Sequence, residues 1–147
     1  MQQIKEIRNT PVAKIMTTNV VTIDGSQKVS EAVMLMRKHK ISSVVVRPRN
    51  EDDTWGIVTE SDILAKVVDP GHQTSMDIWN TLVHQIMTKP VISTYPEMRV
   101  KYAIRLMHKV KVRRLLVMDG NQLKGILTES NILNAVEDLP VNTETAL

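Results

Sequence analysis

Two short stretches carry side chains whose types and spacing could do chemistry. They are Gly56-Ile57-Val58-Thr59-Glu60-Ser61-Asp62-Ile63-Leu64 and Gly125-Ile126-Leu127-Thr128-Glu129-Ser130-Asn131-Ile132-Leu133. Each reads as an apolar strand entered through a glycine, then a polar turn with a hydroxyl and a carboxylate or amide, then the first turn of an amphipathic helix. A helix beginning there leaves backbone N–H groups without partners, pointing at whatever lies in front of the turn. Each corner is therefore a candidate anion and ligand site. The same residues also spell a capping box, in which the threonine oxygen accepts from an orphan N–H and the acid reaches back. The motif alone favours capping, and the two roles can coexist.

Little else in the chain suggests reactivity. His39, His72, His84 and His108 share no helical ligand spacing, so no metal site is expected. Neither a nucleophile elbow nor a Gly-rich phosphate loop occurs, and the absence of cysteine excludes a thiolate nucleophile, disulfides and zinc–sulfur sites. The chain is expected not to be an enzyme and to require no cofactor. A basic run, Arg99, Lys101, Arg105, His108, Lys109, Lys111, Arg113 and Arg114, reads first as a solvated helix face. Nucleic-acid binding through this segment is the weaker alternative, because two Trp and two Tyr are too few for a stacking platform.

The elements that must hold the corners come from a repeat that spans most of the chain. Ile15-Met16-Thr17 returns as Ile86-Met87-Thr88, Val20-Val21-Thr22 as Val91-Ile92-Ser93, and the register holds through Lys40 and Lys111. It slips only in the loop before the glycine, which is longer in the first copy. Each copy reads β-α-β-β-α, with Val29, Ala32, Val33 and Met36 inward on the first long helix and Val100, Ala103, Ile104 and Met107 inward on the second. Strands are expected around Val20–Ile23, Val44–Val46, Trp55–Val58, Leu115–Met118 and Lys124–Leu127, with the last two forming a hairpin. The expected layout is a lead-in over 1–11, a first motif over 12–68, a linker over 69–82, a second motif over 83–136 and a disordered tail over 137–147. Asp69-Pro70-Gly71 stops a helix from Ser61 to Val68, and Met76, Trp79, Leu82 and Val83 are spaced for a connecting helix from Ser75 to about His84.

Bulk properties fit this reading. A chain of 147 residues suits two small halves, each marginal alone, so the halves are expected to pack on one another. With no Phe and nine Met the core must be aliphatic and thioether. No apolar run approaches the length of a membrane span and no signal-peptide core is present, so a cytoplasmic protein is expected.

The duplicated order of Ile-Met-Thr, an apolar pair followed by Thr or Ser, and the Gly-apolar-apolar-Thr-x-x-Asp corner closely resembles tandem cystathionine-β-synthase-type domains, the CBS pair or Bateman module. The resemblance covers roughly Val12 to Val68 and Val83 to Val136. It implies an α/β (α+β) fold of two pseudo-twofold-related units packed through their sheets, with clefts between them. It also implies an adenosine-containing ligand, AMP, ADP or ATP first, with S-adenosylmethionine and NAD as alternatives. A homodimer and regulation of an unknown partner protein follow from the same resemblance.

On that footing Asp62 would accept from the ribose hydroxyls, as acidic residues do in dinucleotide folds. Thr59 and the helix N–H groups would meet phosphate oxygens. Backbone beside Val20, Val21 and Thr22 would meet the adenine edge, and Ile57 its flat face. Similar family members place basic residues at Arg113 and Arg114, whose guanidinium forks suit phosphate. The second corner, with Thr128 and the neutral Asn131 facing Ser42 and Ser43, is expected to be weak or empty. A ligand-free dimerisation or scaffold module is the alternative function.

Overall fold

The runs Val44–Val46 and Leu115–Val117 are buried throughout, as near-continuous apolar strands must be. Each becomes the central strand of a three-stranded sheet. The structure is a computed structural model and describes residues 2–71 and 76–140. In chain order it holds α1 (Gln2–Arg8), a 3-10 turn (Val12–Lys14), β1 (Thr22–Ile23), α2 (Val29–His39), β2 (Ser43–Val46), β3 (Gly56–Thr59) and α3 (Glu60–Ile63), which runs into a π-helical turn (Leu64–Val68). Then come α4 (Val83–Ile86), β4 (Ser93–Thr94), α5 (Val100–Val110), β5 (Arg114–Asp119), β6 (Gln122–Thr128) and α6 (Glu129–Glu137).

Both copies take the expected β-α-β-β-α order. The first strand pairs parallel with the second across a long helix, Thr22 with Val45 and Ser93 with Leu116. The second pairs antiparallel with the third, Ser43 with Thr59 and Arg114 with Thr128. Val29, Ala32 and Met36 are buried on α2, and Val100, Ala103 and Met107 on α5, while Val33 and Ile104 are only half-buried.

The chain divides into two compact units that cut across the repeat. Val20–Val91 form one, continuous in sequence; Met1–Asn19 and Ile92–Leu147 form the other, which is split. Each unit therefore contains one copy's sheet and the other copy's leader. In the split unit Thr17 and Ile126 exchange backbone hydrogen bonds, both 2.9 Å, and Val12 N–H donates to Met98 O at 2.8 Å. In the continuous unit Ile57 and Thr88 do the same at 3.0 and 2.8 Å, and Val83 N–H donates to Gln27 O at 2.8 Å. The repeated Met-Thr and the repeated Gly-Ile are thus two halves of one contact. The glycine is needed because the leader lies on it: a Cβ on Gly125 would stand 2.6 Å from Met16 Sδ and 2.7 Å from Thr17 O. On Gly56 it would stand 3.0 Å from Met87 Sδ and 3.3 Å from Thr88 O.

Two expectations change. The helix expected from Ser75 to His84 shrinks to α4; Ser75 itself, like His72, lies outside the described residues. Asp77 caps a single turn there: its carboxylate accepts from Trp79 N–H at 2.9 Å and Asn80 N–H at 2.8 Å, and its carbonyl from Thr81 N–H at 3.0 Å. Met76 and Ile78 face the core instead, and Trp79 is 64% exposed. The helix after the first corner is ordinary only over Glu60–Ile63 before it widens. Residues 141–147 of the expected tail lie outside the described residues, and α6 reaches Glu137.

The longer loop of the first copy is fastened by Asp53, whose side chain is only 9% exposed. It pairs with Lys89 Nζ at 2.5 Å and accepts from Arg49 N–H at 2.9 Å. Lys89 above all, then the Arg49 amide, hold this carboxyl far below the usual carboxylate range. A depressed folded-state pKa stabilises the fold above the ordinary value of 3.8 and loses that contribution as pH falls below it. Asp53→Asn should lower the urea midpoint at neutral pH, and the gap to the parent should close below that value. A gap that persists unchanged through strong acid would contradict this role.

Candidate functional site

Each corner forms because an apolar strand ends at a threonine with extended backbone and a helix begins on the next residue. In the first, Thr59 Oγ1 accepts from Asp62 N–H at 3.1 Å, and Asp62 Oδ2 accepts from Thr59 N–H at 2.9 Å and from its hydroxyl at 3.0 Å. This is the capping box expected from the motif. The other carboxylate oxygen, Oδ1, lies outside the cap and faces Lys66 Nζ at 3.4 Å. Lys66 also donates to Ile86 O at 2.9 Å, so the corner is tied to the leader in its own unit.

The second corner repeats the cap with an amide. Thr128 Oγ1 accepts from Asn131 N–H at 3.1 Å, and Asn131 Oδ1 accepts from Thr128 N–H at 2.9 Å. The remaining group differs. Asn131 Nδ2 donates to Thr17 Oγ1 at 3.1 Å, where Asp62 presents a charged acceptor. Asn131 is thereby committed to its leader without an intermediary.

Strand pairing sets the neighbours of each corner. Ser43 lies opposite Thr59, and Ser42 O accepts from Glu60 N–H at 3.0 Å. Arg114 lies opposite Thr128, Arg113 O accepts from Glu129 N–H at 3.2 Å, and Arg113 Nε sits 3.7 Å from Glu129 Oε1. Val20, Val21, Thr22, Ile57, Thr59, Asp62, Ser42 and Ser43 thus belong to the continuous unit, and Arg113, Arg114, Thr128 and Asn131 to the split one. Val21 O accepts from Val45 N–H at 3.1 Å, Thr22 Oγ1 accepts from Arg47 Nη1 at 2.8 Å, and Ile57 is buried.

The basic run occupies α5 and the start of β5. Lys101 and Arg105 lie 5.1 and 5.4 Å from the centre of the Tyr102 ring, a cation–π arrangement, and Arg99 Nη1 donates to Asn9 O at 2.7 Å. Among the described residues no cluster of His, Asp and Glu could hold a metal ion, and no helix is long and apolar enough to cross a membrane.

A family model described as the CBS domain matches residues 12–69 and 83–138, both copies of the corner included. The chain belongs to the CBS-domain family. It is 33% identical over 143 residues to an uncharacterized protein of Methanocaldococcus jannaschii, covering 92% of this chain but 34% of that protein. The CBS domain-containing protein YhcV of Bacillus subtilis is 30% identical, with 89% of this chain and 84% of that protein covered. Among solved structures, the hexameric CBS-CP12 protein from bloom-forming cyanobacteria aligns with a TM-score of 0.77 at 41% identity, over 90% of this chain and 76% of that one. CBSX2 in complex with AMP aligns at 0.69 and 25% identity, over 87% and 96%. The CBS pair of the present chain therefore spans about a third of the first of these relatives and most of the others.

Sequence reasoning missed two participants. Lys66 stands four residues after Asp62, an i,i+4 spacing that could have marked it. Thr17 is 114 residues from Asn131, and nothing local could have signalled the bond between them.

Proposed function

We propose that this CBS pair is a non-catalytic regulatory module that binds an adenosine-containing nucleotide through its first corner. Asp62 accepts from the ribose hydroxyls, and Thr59 and the start of α3 meet phosphate oxygens. Backbone at Val20, Val21 and Thr22 and the side chain of Ile57 serve the base. The observation that carries this reading is the difference between the corners: Asp62 keeps a charged oxygen outside its cap, whereas Asn131 spends its amide on Thr17. The likeness to a CBSX2–AMP complex supports AMP, ADP or ATP over S-adenosylmethionine or NAD. On this reading Thr128, Asn131, Ser42 and Ser43 form the weaker site or none.

Thermal unfolding with these five compounds tests the proposal. A ligand at a hundred times its dissociation constant adds about 2.7 kcal/mol, and a panel without any gain would sink it. A flat panel would favour a ligand-free assembly module. That second reading has its own observation: Leu64, Val68, Leu133 and Val136, on the last helix of each copy, are exposed apolar side chains suited to covering by another chain. Sedimentation of the protein across a concentration series separates a homodimer from a monomer in either case.

A further inference from the structure

The continuous unit has a pocket of about 420 Å³ beside the end of β2, away from the corner that follows β3. Its floor is apolar, made by Val46, Met87 and the backbone of Gly25, and its rim carries Arg47, Arg49, His84 and Lys89. The rim is organised. Arg47 Nη1 is held by the neutral Thr22 hydroxyl at 2.8 Å, and its charge is felt by Asp24 across the pocket. Asp53 holds Arg49 Nε at 3.2 Å and Lys89 at 2.5 Å, so one nearly buried carboxylate fixes two cations. Asp53 stands behind the lining; the acid that lines the pocket, Asp24, turns Oδ1 to Ser26, accepting from its N–H at 2.9 Å and its hydroxyl at 2.8 Å. Three permanent cations thus stand against two carboxylates, with an imidazole beside them.

The repeat shows that the fold does not require this rim. Pairing of Val46 with Gly56 and of Val117 with Gly125 sets Met118 at the place of Arg47. His84 N–H donates to Gly25 O as Ala13 N–H donates to Pro96 O, so Ala13 takes the place of His84. Thr18 follows Thr17 where Lys89 follows Thr88. The split unit builds the same framework without one of these cations. Arg49 and Asp53 belong to the longer loop, which the second copy lacks.

We propose that this pocket binds a small organic phosphate, its phosphoryl oxygens on Arg47, Arg49, His84 and Lys89 and its apolar part against Val46 and Met87. Guanidinium groups match phosphate oxygens in bidentate fashion, and the volume lies within the range of small-molecule sites. The site is separate from the nucleotide corner and stands or falls without it.

The test is an amide chemical-shift titration of the full chain with phenyl phosphate and with inorganic phosphate at fixed ionic strength. Saturable shifts are expected at Gly25, Ser26, Arg47, Arg49 and His84, with phenyl phosphate the tighter ligand. Arg47→Met, which installs the side chain the second copy already accommodates there, should weaken binding about tenfold by removing a charged hydrogen-bond donor. His84→Ala, which follows Ala13 in the same way, is the second variant. Shifts unaffected by Arg47→Met, shifts reproduced by sodium chloride, or shifts centred on Thr59–Asp62 or Arg113–Arg114 would overturn the proposal. Equal affinity for the two phosphates would overturn its organic part.

Discussion

Gly125→Ala is expected to destabilise the protein by about 3 kcal/mol, the upper end of overpacking costs, against about 1 kcal/mol for Gly56→Ala. The two glycines hold the same place in the repeat, and the difference lies in what a methyl group would strike. At Gly125 it would come within 2.7 Å of Thr17 O, a backbone atom fixed by paired hydrogen bonds with Ile126. That oxygen cannot withdraw without breaking the ladder that seats the leader. At Gly56 the nearest atom, at 3.0 Å, is Met87 Sδ, the far end of a flexible thioether that can swing aside. Urea denaturation of both variants measures the contrast, and indistinguishable midpoints would refute it.

Asp62 gives the second large effect, and the protein supplies its own control. Asn131 already shows that an amide closes the same cap, with Oδ1 accepting from Thr128 N–H at 2.9 Å. Asp62→Asn should therefore leave the helix start intact while removing the charged acceptor offered to a ribose. AMP affinity should fall about tenfold, because a charge-assisted hydrogen bond is roughly twice as strong as a neutral one. Asp62→Ala removes the cap as well. It should cost about 1 kcal/mol of stability without ligand and abolish the nucleotide-dependent gain. Should AMP raise the melting temperature of parent and Asp62→Asn protein equally, the carboxylate has no part in binding.

Much of this architecture was legible because the repeat and the local patterns agreed. The helical spacing of Val29, Ala32 and Met36, the apolar run at Val44–Val46 and the Thr-x-x-Asp corner each name their element without help from distant residues. The connecting helix was over-read for a local reason, since spacing alone does not show where a helix ends: Asp77 caps one turn, closed by Thr81 N–H on its carbonyl, and the regular helix resumes only at Val83. The leader exchange was illegible for the opposite reason. Met16 and Gly125 make sense only together, and one sequence contains no sign that such distant residues meet. At the candidate site, the capping geometry could be read from residue types, whereas the separate fates of Asp62 Oδ1 and Asn131 Nδ2 depend on Lys66 and Thr17.

The crossed leaders also bear on the order in which the chain can mature during synthesis. Residues 20–91 bring every strand pairing they use within one unbroken stretch, so that half can close as soon as its last residue has emerged. Residues 1–19 are made earlier yet have nothing to sit on until Pro96 to Val100 emerge, and Thr17 meets no partner until β6 arrives. A nascent chain stalled just past residue 91 should resist protease across the finished half while its opening segment stays open to cleavage. What is translated first is docked last.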